Sequence, residues 1–210
     1  MGFYQRWIVP RLINLAMRNR SLDAYRQRTI GKAQGFVLEI GVGSGQNLPL
    51  YGSVDHVCAM DTSAELLRLA TNRIAYVSVP VSLVRASAEQ IPVANAVFDT
   101  IVTTWTLCSI PDPVAALVEV RRVLRPGGNL VFVEHGLSPE SRVARWQHRL
   151  TPCWKRIAGG CHLDRKMDDL IRAAGFRLSD IETRYMDGPK LMTVMYQGQA
   201  IPEPAGRSHG

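Results

Sequence analysis

A buried-looking apolar run, Val37-Leu38-Glu39-Ile40, leads directly into Gly41-Val42-Gly43-Ser44-Gly45-Gln46-Asn47. Glycines placed just after a strand let the backbone turn sharply and approach a ligand closely, because no Cβ stands in the way. The spacing is G-x-G-x-G, and Gln46 stands where a dinucleotide loop would carry a third glycine or an alanine. That departure argues against a nicotinamide dinucleotide, whose pyrophosphate must lie close to a helix N-terminus. Glu39 suits instead the cationic end of a ligand that carries an ammonium and no phosphate. Asp61 stands 20 residues after Gly41, at the end of the next apolar run. A carboxylate there can accept hydrogen bonds from both hydroxyls of a ribose.

Two further stretches carry chemistry: Thr103-Thr104-Trp105-Thr106-Leu107-Cys108-Ser109 and Val133-Glu134-His135. Both follow apolar runs, and open α/β sheets bind ligands at the carboxyl ends of their strands. His135 is the candidate general base, since its unperturbed pKa lies closest to neutrality; the alternative is a histidine hydrogen-bonded for structure at a strand end. Cys108 either meets a soft substrate or packs. His162, beside Cys161, either faces a pocket or caps a turn. The four cysteines, Cys58, Cys108, Cys153 and Cys161, include no C-x-x-C pair and read as free thiols of a reducing compartment. Cys153, Cys161 and His162 match no standard zinc spacing, so no metal is expected.

The elements that must position these residues alternate strand-like and helical patterns from Phe36 onward, which predicts an α/β fold with a mostly parallel sheet wrapped by helices. Strands are expected at 36–40, 54–60, 81–84, 98–104, 130–133, 176–182 and 191–196. Ser63 is a candidate N-cap for a helix carrying Leu66, Leu67 and Ala70. Pro113 opens a second helix, which Pro126-Gly127-Gly128 should stop. A third is expected from about Pro139 to Ile157 with a bend at Pro152, and a fourth between Asp164, as cap, and Gly175. Asp187-Gly188-Pro189 reads as a turn. One domain, residues 1–198, accounts for all of this, with residues 1–34 as an N-terminal helical lid and 199–210 as a flexible tail. In the lid, Phe3, Trp7, Ile8, Leu12, Ile13, Ala16 and Met17 form the apolar face.

The formal net charge of +7 is unevenly placed. Residues 1–38 carry seven basic groups against one acid, Asp23, and residues 141–163 carry Arg142, Arg145, Arg149, Lys155 and Arg156 with no acid. Such segments suit an anionic surface or substrate. The apolar runs are far shorter than the ~20 residues that cross a bilayer, and Arg6, Pro10, Arg11 and Asn14 interrupt any leader-like stretch. The expected location is cytoplasmic, with peripheral contact at the anionic inner face of a membrane. The stretch after Thr104 lacks the Asn/Asp-Pro-Pro-aromatic sequence of nucleic-acid amino-methylating enzymes, so nucleic acid is not an expected partner.

E-x-G-x-G-x-G at 39–45, the acid at 61 and Val123-Leu124-Arg125-Pro126-Gly127-Gly128 together resemble the class I S-adenosylmethionine-dependent methyltransferases over about residues 35–197. The resemblance implies a Rossmann-like, seven-stranded sheet whose last strand is antiparallel, and S-adenosyl-L-methionine as cofactor. It places Ser87-Ala88-Glu89 beside the adenine, with Ser87 where many members have Asp. The cofactor set it implies is Glu39, Gly41, Gly43, Gly45, Asn47, Asp61, Thr62, Ser87, Ala88, Glu89, Thr103 and Trp105. A narrower resemblance, carried by Leu107-Cys108-Ser109, Glu134-His135, Trp146-Gln147, Pro152 with Trp154, and Gly160-Cys161, is to the animal alkyl-thiol methyltransferases (the methyltransferase-like protein 7 group). It implies a small thiol or sulfide acceptor at or near a membrane. Under it, His135, Cys108 and Tyr185 would be the catalytic set, with Trp105 and Tyr185 walling the acceptor pocket. Leu38–Gly43 followed by Leu48-Pro49-Leu50-Tyr51 also resembles the small bacterial phosphatidylethanolamine N-methyltransferases, and the general motifs are shared with ubiquinone-type C-methyltransferases. A phospholipid and a quinol are therefore the alternative acceptors.

Overall fold

The computed structural model describes residues 9–204. In chain order the elements are α1 (Val9–Ala16), α2 (Asp23–Ile30), β1 (Phe36–Ile40), β2 (His56–Asp61), α3 (Ala64–Ile74), β3 (Val81–Arg85), β4 (Phe98–Thr104), α4 (Pro113–Val123), β5 (Leu124–His135), α5 (Ser141–Ile157), α6 (Met167–Ala173), β6 (Phe176–Tyr185) and β7 (Val194–Pro202). The seven strands form one sheet in the order β3-β2-β1-β4-β5-β7-β6. The β1–β2, β2–β3, β1–β4 and β4–β5 pairs are parallel, while β7 runs antiparallel to β5 and β6. The strand order reverses between β1 and β4, which opens a crevice at their carboxyl ends.

Period two along β1 divides the core. Leu38 and Ile40 join Ala116, Leu117, Val120, Met167 and Ile171, under α4 and α6. Val37 joins Ile30, Ala70 and Tyr51 on the opposite face, under α2 and α3. Near-continuous burial of Leu130-Val131-Phe132-Val133 is what a parallel strand covered on both faces requires.

The helices start where their caps predict. Ser63 Oγ accepts from Leu66 N at 3.3 Å to open α3, and Asp112 Oδ1 accepts from Ala115 N at 2.9 Å to open α4, with Pro113 in its first turn. Several boundaries differ from expectation. α4 ends at Val123, before the Pro-Gly-Gly stop, because Leu124 already pairs with Phe98 and the strand arrives through a register shift. Arg125 donates to both oxygens of Asp99, at 2.8 and 2.7 Å, and holds that lead-in. Asp164 does not cap α6: its carboxylate faces His148 Nδ1 at 3.0 Å, and the helix begins at Met167. Residues 199–202 belong to β7 rather than to a tail, since Gln199, Ala200, Ile201 and Pro202 all stand in register with β6. No helix among the described residues is long and apolar enough to cross a membrane.

Candidate functional site

A cavity of about 980 Å³ opens at the carboxyl ends of β1, β2 and β4. The three glycines after β1 all have positive φ, at 72°, 55° and 77°, yet serve different ends. A Cβ on Gly41 would fall 2.2 Å from Thr106 Oγ1, and one on Gly45 would meet Leu48 and Ala70. Those two positions are closed by packing. A Cβ on Gly43 would meet nothing nearer than 3.9 Å, so Gly43 alone presents bare backbone to open space. Gly41, Gly43 and Asn47 line the cavity; Gly45 does not.

Asp61 lines the cavity from the end of β2, and two backbone donors orient it: Gly43 N–H to Oδ2 at 3.0 Å and Ser63 N–H to Oδ1 at 2.8 Å. Burial raises its pKa against those bonds. Each carboxylate oxygen keeps a lone pair for a further donor, so the arrangement fits a vicinal diol. Ser87, Ala88 and Glu89 line the cavity beyond β3, as does Thr62. Ser87 Oγ donates to Glu89 Oε2 at 2.9 Å, so a carboxylate stands behind the serine hydroxyl. Glu89 in turn accepts from Asp112 N at 2.8 Å and anchors the start of α4.

Glu39 is fully buried and lies behind the glycine loop rather than in the cavity wall. Its Oε1 accepts from Asn47 Nδ2 at 2.8 Å, and the same amide donates to Thr104 Oγ1 at 2.9 Å. Burial raises the Glu39 pKa to about 7, with Asn47 and the Arg26 charge opposing the rise. The Tyr51 hydroxyl stands beside the Glu39 carboxylate, and Asn47 Oδ1 has no partner among the described residues. An orphaned acceptor on the cavity wall fits a ligand that brings an ammonium.

The wall opposite the ribose position is the segment after β4. Trp105 has φ 50°, a left-handed backbone that costs a bulky residue of order 1–3 kcal/mol. Three contacts hold it: Trp105 N–H to Val133 O at 2.8 Å, the indole N–H to Met195 Sδ at 3.2 Å, and the Arg26 guanidinium 5.0 Å over the ring. Glu134 is buried beneath, accepts from Thr106 N at 3.1 Å, and has its pKa raised to about 7 by burial. Arg165 Nη1 donates to Leu107 O and Ile110 O, at 2.6 and 2.7 Å, and Nη2 to Pro111 O at 3.3 Å. The loop is thus held from its N–H side by one carboxylate and from its C=O side by one guanidinium.

The remaining expected residues lie elsewhere. Thr103 is buried within β4, and His135, Cys108 and Tyr185 do not line the cavity. His135, 6% exposed, sits with Nδ1 3.8 Å from Cys161 Sγ. Cys108 is buried with its carbonyl accepting from the His162 backbone N–H at 2.8 Å. Tyr185 OH is 2.6 Å from Ser138 Oγ, and Lys190 lies over its ring. No group of metal-ligand character is found among the described residues. The sequence reading missed Arg26, which lines the cavity at 2% exposure and donates to Met17 O at 2.7 Å. Its only signal was position within the basic N-terminal segment. Val9, Pro10, Ile13 and Asn14 of α1, with Met17 just beyond its end, line the cavity, whereas Leu12 and Leu15 are exposed. The face of α1 is therefore rotated from the expected one; Phe3, Trp7 and Ile8 lie outside the described residues.

Comparison with known proteins agrees with this geometry. A family described as a methyltransferase domain matches residues 38–132. The chain is 33% identical over 157 residues to the thiol S-methyltransferase TMT1B of Rattus norvegicus, covering 73% of this chain and 64% of that protein. The chain thus spans just under two thirds of that relative's length. It is 35% identical over 118 residues to a phosphatidylethanolamine N-methyltransferase of Cereibacter sphaeroides, covering 54% of this chain and 58% of the other. Among solved structures, a SAM-dependent methyltransferase from Aquifex aeolicus superposes with a TM-score of 0.66 at 17% identity, over 91% of this chain and 97% of that one. The matched domain begins at β1, spans the glycine loop, Asp61 and the Ser87–Glu89 corner, and ends in β5, so the parts that build the cavity are the parts that match: residues 38–132 form a methyltransferase domain, in the fold of the S-adenosylmethionine-dependent methyltransferases.

Proposed function

We propose that this chain transfers the methyl group of S-adenosylmethionine to the sulfur of a small thiol or sulfide, such as hydrogen sulfide or an alkyl thiol. The observation that carries the reading is the acceptor wall: a loop with Trp105, Ile110 and Pro111 facing Val9, Ile13 and Met17 across the cavity. That wall is mostly apolar and suits a small sulfur nucleophile. Likeness to the thiol S-methyltransferase supports the same acceptor.

When bound, S-adenosylmethionine would supply an electrophilic methyl on a sulfonium, with the thioether as leaving group for in-line attack by a thiolate. Asp61 would accept from the ribose hydroxyls, and Ser87 backed by Glu89 would meet the adenine amino group. Asn47 Oδ1, with Glu39 behind it, would take the ammonium, whose charge favours the ionised form of Glu39. Arg26 would face the donor's carboxylate. The clamped loop 105–111 keeps the acceptor sulfur near the methyl and excludes water, which is where most of the rate advantage of a displacement of this kind arises.

A second reading, phospholipid N-methylation, is favoured by one observation. The outer face of α5 exposes Trp146, Leu150 and Ile157 among Arg142, Arg145, Arg149 and Lys155, a composition that suits an anionic membrane surface. Peripheral membrane contact is compatible with either acceptor. Incubation with methyl-labelled S-adenosylmethionine and, separately, hydrogen sulfide, methanethiol, phosphatidylethanolamine or a quinol tests the proposal. Label is expected on the thiols. Label on phosphatidylethanolamine with none on thiols overturns it in favour of the second reading.

A further inference from the structure

Two cysteines more than fifty residues apart meet behind the acceptor wall. Cys161 follows α5 in a turn made by Gly159 (φ 62°) and Gly160 (φ 90°), and Cys108 sits in the clamped loop after β4. Cys161 packs against the core cluster that contains Cys108, and His135 Nδ1 lies 3.8 Å from the Cys161 sulfur. The segments are fastened in register: Cys108 O accepts from the His162 backbone N–H at 2.8 Å and lies 3.3 Å from His162 Nδ1. A Cβ on Gly160 would fall 3.1 Å from Ser109 O, so only glycine lets the turn approach this closely. Cys108 is buried and Cys161 half-buried, so a small reagent reaches the second before the first.

We propose that Cys161 and Cys108 form a covalent redox site for low-molecular-weight disulfides, with Cys161 as the attacking thiolate, Cys108 as the resolving thiol and His135 as the group that positions and charges Cys161. In the first step the Cys161 thiolate attacks one sulfur of R–S–S–R. The Cys161–S–R bond forms, the R–S–S–R bond breaks, and RS⁻ departs, taking a proton from solvent. In the second, Cys108 gives its proton to solvent and attacks Cys161 Sγ. The Cys161–S–R bond breaks, a second RSH leaves with a proton from solvent, and a Cys108–Cys161 disulfide remains. The small disulfide gains two electrons and the cysteine pair loses two. The charge pattern agrees: Cys108 first, and His135 after it, lower the Cys161 pKa to about 5, while Cys161 and burial hold Cys108 well above the usual thiol range. Burial alone raises Cys58. Because the bond joins the acceptor loop to the turn after α5, oxidation also ties down one wall of the cavity.

The test uses the reduced full chain, oxidised glutathione and no S-adenosylmethionine, so its outcome is independent of whether the acceptor is a thiol. Expected are two glutathione thiols released per chain, a 108–161 crosslink in peptide maps, and recovery with dithiothreitol. Cys108→Ser should release one thiol and retain glutathione on Cys161, and Cys161→Ser should abolish both the release and the crosslink. The wild-type rate should change less than about twofold between pH 8 and pH 6, where an ordinary thiol loses roughly 80-fold. Glutathione on the exposed Cys153 with Cys161 unreacted, a rate that falls like an ordinary thiol's, or a stable Cys161 adduct in the wild-type chain without the crosslink would each overturn the proposal.

Discussion

Asp61 shows how much of the site rests on single residues. Its two oxygens are aimed by Gly43 and Ser63, so Asp61→Ala removes charge-assisted hydrogen bonds to the ribose worth roughly 1.5–3 kcal/mol. Cofactor affinity should fall by about one to two decades in calorimetry. Gly43→Val should lower it as well, since φ 55° strains a β-branched residue and its side chain would project toward the ligand. Unchanged affinity in both variants would refute the assigned cradle. Glu134 makes a prediction of a different kind. Its pKa is raised from an ordinary carboxyl value to about 7, so the folded state prefers the protonated form. The stability that this preference contributes is complete below pH ~4.5 and is lost as pH rises through about 7. Glu134→Gln keeps an oxygen for Thr106 N–H but cannot ionise. Relative to wild type it should gain stability on going from pH 5 to pH 8, by up to about 3 kcal/mol. Denaturant melts at the two pH values check the sign. Asp61 and Gly43 were legible in the sequence because strand, glycine spacing and distant acid agree. Glu134 and Arg26 were not, because a buried charge is recognised by what surrounds it, and their partners, a loop's N–H groups and the Trp105 ring, come from elsewhere in the chain.

At the scale of elements, the parallel strands and the caps of α3 and α4 could be read directly, because period-two burial and Ser or Asp at an N-cap act locally. The elements that were misread depend on tertiary partners. β7 continues through a Gly-Gln-Ala-Ile-Pro stretch that has the composition of a loop, because β5 and β6 both pair with it. α1 turns Val9 and Ile13 inward because Gly159, without a side chain, lets them approach the turn after α5. The post-β4 loop has no regular structure of its own, and Arg165 supplies three of its carbonyl partners. Arg165→Met should therefore free the loop while leaving the glycine cradle intact. The expected outcome is an acceptor KM raised several-fold with cofactor affinity within about twofold of wild type, read by steady-state kinetics beside calorimetry. A matched loss of cofactor affinity would show that the loop and the cradle are one unit.

At the scale of the whole molecule, α5 is where the proposed peripheral membrane contact would lie. α5 buries only Gln147 and Thr151, and Gln147 is fully engaged: it accepts from Ser138 N and donates to Gly136 O and Leu191 O. The helix is thus attached through a polar anchor, and it exposes Trp146, Leu150 and Ile157 among basic residues with no acid between them. Arg149 lies 5.5 Å over the Trp146 ring, a pairing of an aromatic body with a charged tip that suits a headgroup layer. The exposed Leu12 and Leu15 of α1 extend the apolar area toward the cavity mouth, since α1 touches the turn after α5. Each basic residue near an anionic surface contributes about 1 kcal/mol, and that attraction decays within a Debye length of ~10 Å at 0.1 M salt. The chain should float with anionic vesicles at low salt, detach as salt rises, and ignore neutral vesicles. Replacing Arg142, Arg145 and Arg149 together by Glu should abolish flotation with little change in thermal stability, because all three are exposed. Trp146→Ala with Leu150→Ala should weaken it and steepen its salt dependence, since electrostatics alone would then remain. Absence of vesicle binding by the wild-type chain at low salt would remove the membrane from the proposal and leave α1 as one wall of the cavity.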